Sequence, residues 1–204
     1  MIEDVADNTA FTYLKTVDIG LKDIQSSYYN IAAGELVFFS YQGPGKRVAL
    51  DGTVLGDVAP PPEVTKILDG ATYDQVNGTA LLLDQTCNFA EVDPVTMDVV
   101  LLDKVDDVKF GIVTCGGLAL GLDGHLYIAS TQTDEIVVIT RDLQTLVRRF
   151  KVDDDGLSNI DGVSLIAGSE NFLLLSTFDL KAEIVDPLGN VVVPASTIGE
   201  PRRR

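Results

Sequence analysis

The chain has 204 residues, 46% of them hydrophobic, and carries 31 acidic against 15 basic side chains for a formal charge of −16. That apolar content is enough for a globular core and excludes a wholly disordered chain. The negative charge repels phosphate backbones, so nucleic acid is excluded as an expected partner, and no apolar run approaches the roughly 20 residues that a membrane helix needs.

The first eleven residues, MIEDVADNTAF, are acidic and lack the positive and apolar regions of a secretory signal. The compartment is otherwise unspecified. Phe11 to Val17 (FTYLKTV) alternates as a strand should and stands ahead of the first complete repeat.

Four units follow, each with the same layout. A first apolar run occurs at Glu35 to Ser40, Ala80 to Thr86, Leu126 to Thr131 and Phe172 to Phe178. A second run comes at Arg47 to Leu50, Phe89 to Val92, Ile136 to Ile139 and Ala182 to Val185. The turns after it, LDGT, DPVTMD, TRDLQT and DPLGN, are rich in Asp, Gly and Pro, which preset or tolerate turn backbone angles. A third run then follows at Val54 to Val58, Val99 to Val105, Leu146 to Val152 and Val191 to Ala195. One more strand precedes each unit, clearest in Gly116 to Leu122 (GGLALGL) and Asp161 to Ala167 (DGVSLIA). Four strands recurring every roughly 40 to 47 residues are the signature of propeller blades.

The expected fold is therefore all-β, a β-propeller of four-stranded antiparallel blades, with units at about 24–58, 67–105, 112–152 and 159–196 plus the extra N-terminal strand. No sustained helical periodicity is present, and Val64 to Leu68, after three prolines, reads as a turn or two at most. Three closures fit this count: a closed ring of four or five blades, a fragment of a larger ring, or an open half that associates with itself.

The unit GGLALGLDGHLYIASTQTDEIVVITRDLQTLVRRF resembles the NHL and related six-bladed propeller repeats through its apolar runs, its Asp123-Gly124 turn and its LYIAS segment. IDGVSL, at Ile160 to Leu165, resembles a metal-ligand segment of the gluconolactonase and SMP-30-like propellers. That resemblance implies calcium or another divalent ion held in a central channel, with Asp161 as a ligand and a hydrolase or lactonase activity. Other carboxylates, such as Glu35 or Asp74, would have to converge on the same channel. The family's preceding blade supplies an Asn before a Gly, whereas here Cys115-Gly116-Gly117 puts Gly116 in that place. A plain structural role for Asp161, accepting backbone hydrogen bonds at the strand entrance, stands beside the metal reading.

The remaining candidates are sparse. His125 is the only histidine and lies in a turn beside Gly124, which is unsuited to a catalytic triad. Asp153 to Asp155 is the densest acidic run but lacks the spacing of a calcium loop, and reads as a solvated connection. Asn77-Gly78-Thr79 is a formal glycosylation sequon in a place where a turn is already expected. Cys87 and Cys115 lack zinc-site pairing and are expected to be buried free thiols, a single bridge being the alternative. Arg202 to Arg204 read as a solvated tail.

Tyr28, Tyr29, Phe38, Phe39 and Tyr41 form the densest aromatic cluster. Alternate members should fill the core between blades, while Tyr29 and Tyr41 are the candidates for a ligand surface at a loop end. With no complete catalytic set and no evident cofactor, the leading expectation is a non-enzymatic scaffold that presents loops to a protein, peptide or glycan. The alternatives are the divalent-ion hydrolase and a structural part of a larger, self-associating assembly.

Overall fold

A computed structural model describes residues 16–41, 44–64, 67–152 and 157–198. The sequence expectations for Phe11 to Lys15, for Asp153 to Asp155 and for Arg202 to Arg204 lie outside the described residues.

Among the described residues sixteen strands form four separate antiparallel sheets, each a simple meander, giving a four-bladed β-propeller. The first blade is β1 (Ile24–Asn30), β2 (Glu35–Ser40), β3 (Gly45–Ala49) and β4 (Val54–Val58). The second is β5 (Leu68–Asp74), β6 (Thr79–Asp84), β7 (Asn88–Val92) and β8 (Val99–Lys104). The third is β9 (Cys115–Leu120), β10 (Leu126–Ser130), β11 (Glu135–Ile139) and β12 (Leu146–Lys151), and the fourth is β13 (Gly162–Leu165), β14 (Phe172–Ser176), β15 (Lys181–Val185) and β16 (Val191–Thr197). The four-strand blade read from the sequence is thus the observed unit. The six blades of the families it resembles are not, because the described strands complete four sheets.

The chain is not wholly free of helix. Pro62–Val64 make a 3₁₀ turn, and Asp107–Phe110 make one turn of α-helix, α1. Capping rather than periodicity produces α1: the Asp106 carboxylate accepts the Lys109 N–H, and Gly111 closes the turn at φ 64°. A single turn is too short to leave a periodic apolar stripe in the sequence.

Alternation along the strands builds the core. In β6, Ala80 and Leu82 face the first blade and pack with Tyr28, Val37 and Phe39, whereas Leu81 and Leu83 face the third and pack with Leu118, Leu126 and Ile128. In β10 and β11, Tyr127, Ala129, Ile136 and Val138 face the fourth blade and meet Val163, Phe172 and Leu174. The Tyr127 and Phe172 rings stack with centroids 4.1 Å apart.

These clusters join first blade to second, second to third and third to fourth; among the described residues none joins fourth to first. The burial patterns follow. β6 and β10, covered on both faces, are almost continuously buried, but β2 and β14 alternate buried with half-buried positions. Leu36 and Phe38 of β2, and Leu173 and Leu175 of β14, are the half-buried members. They are as apolar as their covered counterparts, so the sequence alone suggests two-sided packing where the structure leaves a seam.

Close approach of the inner strands depends on missing side chains. A Cβ on Gly117 would lie 2.4 Å from the Val163 nitrogen and 2.8 Å from the Gly162 Cα, and one on Gly70 would lie 2.7 Å from the Leu118 Cβ.

Candidate functional site

Because each blade is a meander, one face of the propeller collects the β2–β3-type turns and all the crossings between blades. The other face collects the remaining hairpins. The crossing face holds the residues with the most chemistry.

Asp161 stands there, immediately before β13. Its N–H donates to the Leu175 carbonyl at 3.0 Å, and its carboxylate accepts the Thr177 N–H at 3.1 Å and the Thr177 hydroxyl. The Asp-Gly entrance therefore ties the inner strand to the β14–β15 turn. Neighbouring carboxylates do the same work: Asp134 accepts the Asn159 N–H at 2.6 Å, and Asp179 accepts the Ser158 N–H at 2.6 Å and its hydroxyl at 2.8 Å. Together they fasten the crossing into the fourth blade.

Asp69 occupies the equivalent place in the second blade. Leu68-Asp69-Gly70 repeats the pattern of Ile160-Asp161-Gly162, and the ladder with β6 shifts register at this point. Burial pushes the Asp69 carboxyl up to about 7, with the charges of Asp161 and Asp84 adding to the rise. Asp84 is fully buried, and its oxygens accept from Thr86 and Asn88 at 2.8 to 3.0 Å. The Asp-Gly shared by the two strand entrances is the sequence signal for Asp69, but only the fourth-blade copy resembles a ligand segment.

The donors do not fit the divalent-ion site that the resemblance to the gluconolactonase family implies. Glu35 and Asp74 end or begin strands on the other face, away from Asp161. There Glu35 is gripped by the Arg47 guanidinium at 2.8 and 2.9 Å, and Asp74 lies 2.7 Å from Arg141. At Gly116 a Cβ would sit 2.5 Å from the Thr131 hydroxyl oxygen, so the place of the family's amide is filled by packing. Among the described residues no group of three or more His, Cys, Asp or Glu is arranged to hold a metal.

The cysteines depart from expectation. Cys87, in the β6–β7 turn, and Cys115, at the start of β9, form a disulfide with Cα atoms 5.3 Å apart. Free thiols were expected because two cysteines 28 residues apart show no motif. The repeat itself placed one in a crossing-face turn and the other at the next blade's inner entrance, which are neighbours in space.

His125 lies in the hairpin after Gly124 on the other face, its Nδ1 3.0 Å from the Asp123 carboxylate. Burial raises the Asp123 carboxyl, but hydrogen bonds from His125 and Tyr127 outweigh it and hold the group below the usual range. Arg148 extends this network to the Tyr127 hydroxyl and to the Pro187 carbonyl at 3.0 Å, linking third blade to fourth. The Asn77-Gly78 turn is closed by Asp74, which accepts the Asn77 side-chain amide at 2.8 Å.

Tyr29 and Tyr41 are not brought together. Tyr28 packs inward with Phe39, so Tyr29 projects from the opposite face of the first blade, paired with Leu36 and 41% exposed. Tyr41 follows β2 on the crossing face, its N–H bonded to Asp23, and is 44% exposed. The length of β2 separates them, roughly 17 Å at the rise of a strand.

No protein-family model matches this sequence, and no curated protein matches it. Solved structures do. Virginiamycin B lyase from Staphylococcus aureus, an inactive variant with quinupristin, is 15% identical with a TM-score of 0.55, covering 87% of this chain. This chain spans 56% of that one, little more than half its length. The hemopexin fold protein CP4 from cow pea is 14% identical with a TM-score of 0.59, covering 85% of this chain and 91% of its own. A protein of unknown function from Bacteroides caccae is 15% identical with a TM-score of 0.56, covering 89% of this chain and 62% of its own. At these identities the likeness is one of fold, and it fits both enzymes and proteins of no stated activity.

Proposed function

We propose that the protein is a non-enzymatic propeller module that binds a protein, peptide or glycan partner. The observation carrying this reading is the seam between the first and fourth blades, where Leu36 and Phe38 on one side and Leu173 and Leu175 on the other are half-buried apolar side chains with no facing blade among the described residues. Tyr29 lies on the same uncovered face as Leu36, and Tyr41 stands at the crossing-face end of β2. Amphipathic tyrosines bordering an apolar strip are the usual anchors of a recognition surface. The carboxylates of the crossing face support the reading from the other side: Asp84, Asp134, Asp161 and Asp179 spend their lone pairs on backbone and hydroxyl donors of the chain itself.

The test is binding of the purified chain to peptide and glycan arrays, repeated with Phe38→Ser and Leu173→Ser. Ligands lost in either seam variant support the module. Native mass spectrometry with and without chelator supplies the opposing outcomes. A divalent ion that disappears in Asp161→Ala would overturn the module in favour of a metal-dependent hydrolase, and an oligomer at micromolar concentration dispersed by the seam variants would overturn it in favour of an assembly part.

A further inference from the structure

Among the described residues, the outermost strand of every blade has one unpaired edge, a row of backbone donors and acceptors that another chain can use. Three of the four are guarded. β4 carries Gly56 and Asp57, β12 carries Arg148 and Arg149, and β16 is interrupted by Pro194. Charge, glycine and proline are the residues that discourage strand addition. β8 has none of them along Val99, Val100, Leu101 and Leu102, which are 41 to 63% exposed on both faces of the strand. Its first charge is Asp103.

We infer that β8 is a docking edge that takes an extended, apolar peptide segment flanked by basic residues as a fifth strand of the second blade. The unpaired backbone fixes the extended conformation, and alternate side chains of the added strand would lie beside Val100 and Leu102 or beside Val99 and Leu101. Charge selects the flanks: exposed Asp98 precedes the strand and Asp103 and Asp106 end it, offset only in part by Lys104 and Lys109. A second copy of this chain is the poorer occupant, because the formal charge of −16 repels its like. This edge is distinct from the seam and does not depend on the function proposed there.

The test uses a fluorescein-labelled peptide of alternating valine and threonine with two lysines at each end, titrated with the purified chain and read by fluorescence anisotropy. Binding is expected to saturate, to weaken with added salt, and to fall ~10-fold or more for Val100→Lys at unchanged melting temperature. A peptide N-methylated at alternate residues, which cannot complete the ladder, should lose binding by a similar factor without any change to the protein. Phe38→Ser should bind as the parent does. No saturable binding, equal binding of the N-methylated peptide, equal binding by Val100→Lys, or equal binding of a peptide flanked by glutamates would each overturn the inference while leaving the seam reading to its own arrays. A concentration-dependent dimer abolished by Val100→Lys and not competed by the peptide would overturn the choice of occupant.

Discussion

Asp69 and Asp161 stand at the inner-strand entrances of the second and fourth blades, and the charge of Asp161 adds to the rise that burial gives the Asp69 carboxyl. The folded chain therefore holds a proton on Asp69 up to about pH 7 that the unfolded chain releases near the ordinary carboxylate value. A raised folded value gives stability that is complete below about pH 4 and is lost as the pH climbs to about 7. Asp69→Asn removes this dependence. It is expected to match the parent near pH 4 and to exceed it by ~1–3 kcal/mol at pH 8, measured by urea unfolding at both values. Equal stabilities at pH 8 would show that solvent reaches the carboxyl.

The Gly117 backbone allows β9 and β13 to approach, and its replacement tests whether that approach holds the fourth blade in place. Gly117→Ala pushes a methyl group into the Val163 nitrogen and Gly162 Cα, and should cost ~1–3 kcal/mol as overpacking. Hydrogen exchange should show the loss concentrated in β13 to β16. Gly56→Ala is the matched control. Nothing lies within 4 Å of its added Cβ and its backbone is not left-handed, so the outcome is unchanged stability or a gain of ~0.4–1 kcal/mol.

Period, not chemistry, made the fold legible. The runs Ala80 to Thr86 and Leu126 to Thr131 declare strands because both faces are covered, and the Asp-Gly and Asp-Pro turns between runs fix the meander. Neighbours that the repeat brings together were harder to see. Cys87 and Cys115 pair because a turn of one blade meets the inner entrance of the next, a relation of the ring and not of the local sequence. The same holds for Arg141, which reaches Asp74 and Glu91 of the preceding blade 67 and 50 positions away. Leu36, Phe38, Leu173 and Leu175 read as ordinary core, since hydrophobicity records that a face wants cover and not which surface supplies it. Asp161 looked like a ligand on its motif, and only the position of Thr177 revealed its bonding.

Arg141 lies between the buried Asp74 carboxylate and Glu91, at 2.7 and 2.9 Å. Burial alone would raise Asp74, yet hydrogen bonds from Asn77 and Val76 and the Arg141 charge hold it below the usual carboxylate range. A depressed folded value contributes stability above the unfolded value and loses it as the pH falls. Arg141→Ala should therefore cost ~1–2 kcal/mol at pH 7, a deficit that shrinks on acidification below about pH 4. Thermal unfolding of parent and variant across pH 3 to 7 reads both parts, and a deficit independent of pH would assign the loss to packing of the arginine stem.

The Cys87–Cys115 bridge spans 28 residues and joins the second blade to the third at the crossing face. Closing a loop of that length restricts the unfolded chain by ~3–4 kcal/mol on the chain-entropy account. The native protein should show no reactive thiol toward a thiol reagent until it is unfolded and reduced. Cys87→Ala with Cys115→Ala should lower the urea midpoint and steepen the slope, because the unbridged unfolded chain exposes more surface while Leu83, Phe89 and Leu118 still pack between the blades of the folded one. A larger fall, with hydrogen exchange lost together in β6 and β9, would mean that the bridge also sets the register of the inner strands. Two titratable thiols in the folded parent would instead return the pair to the buried free cysteines that composition alone suggested.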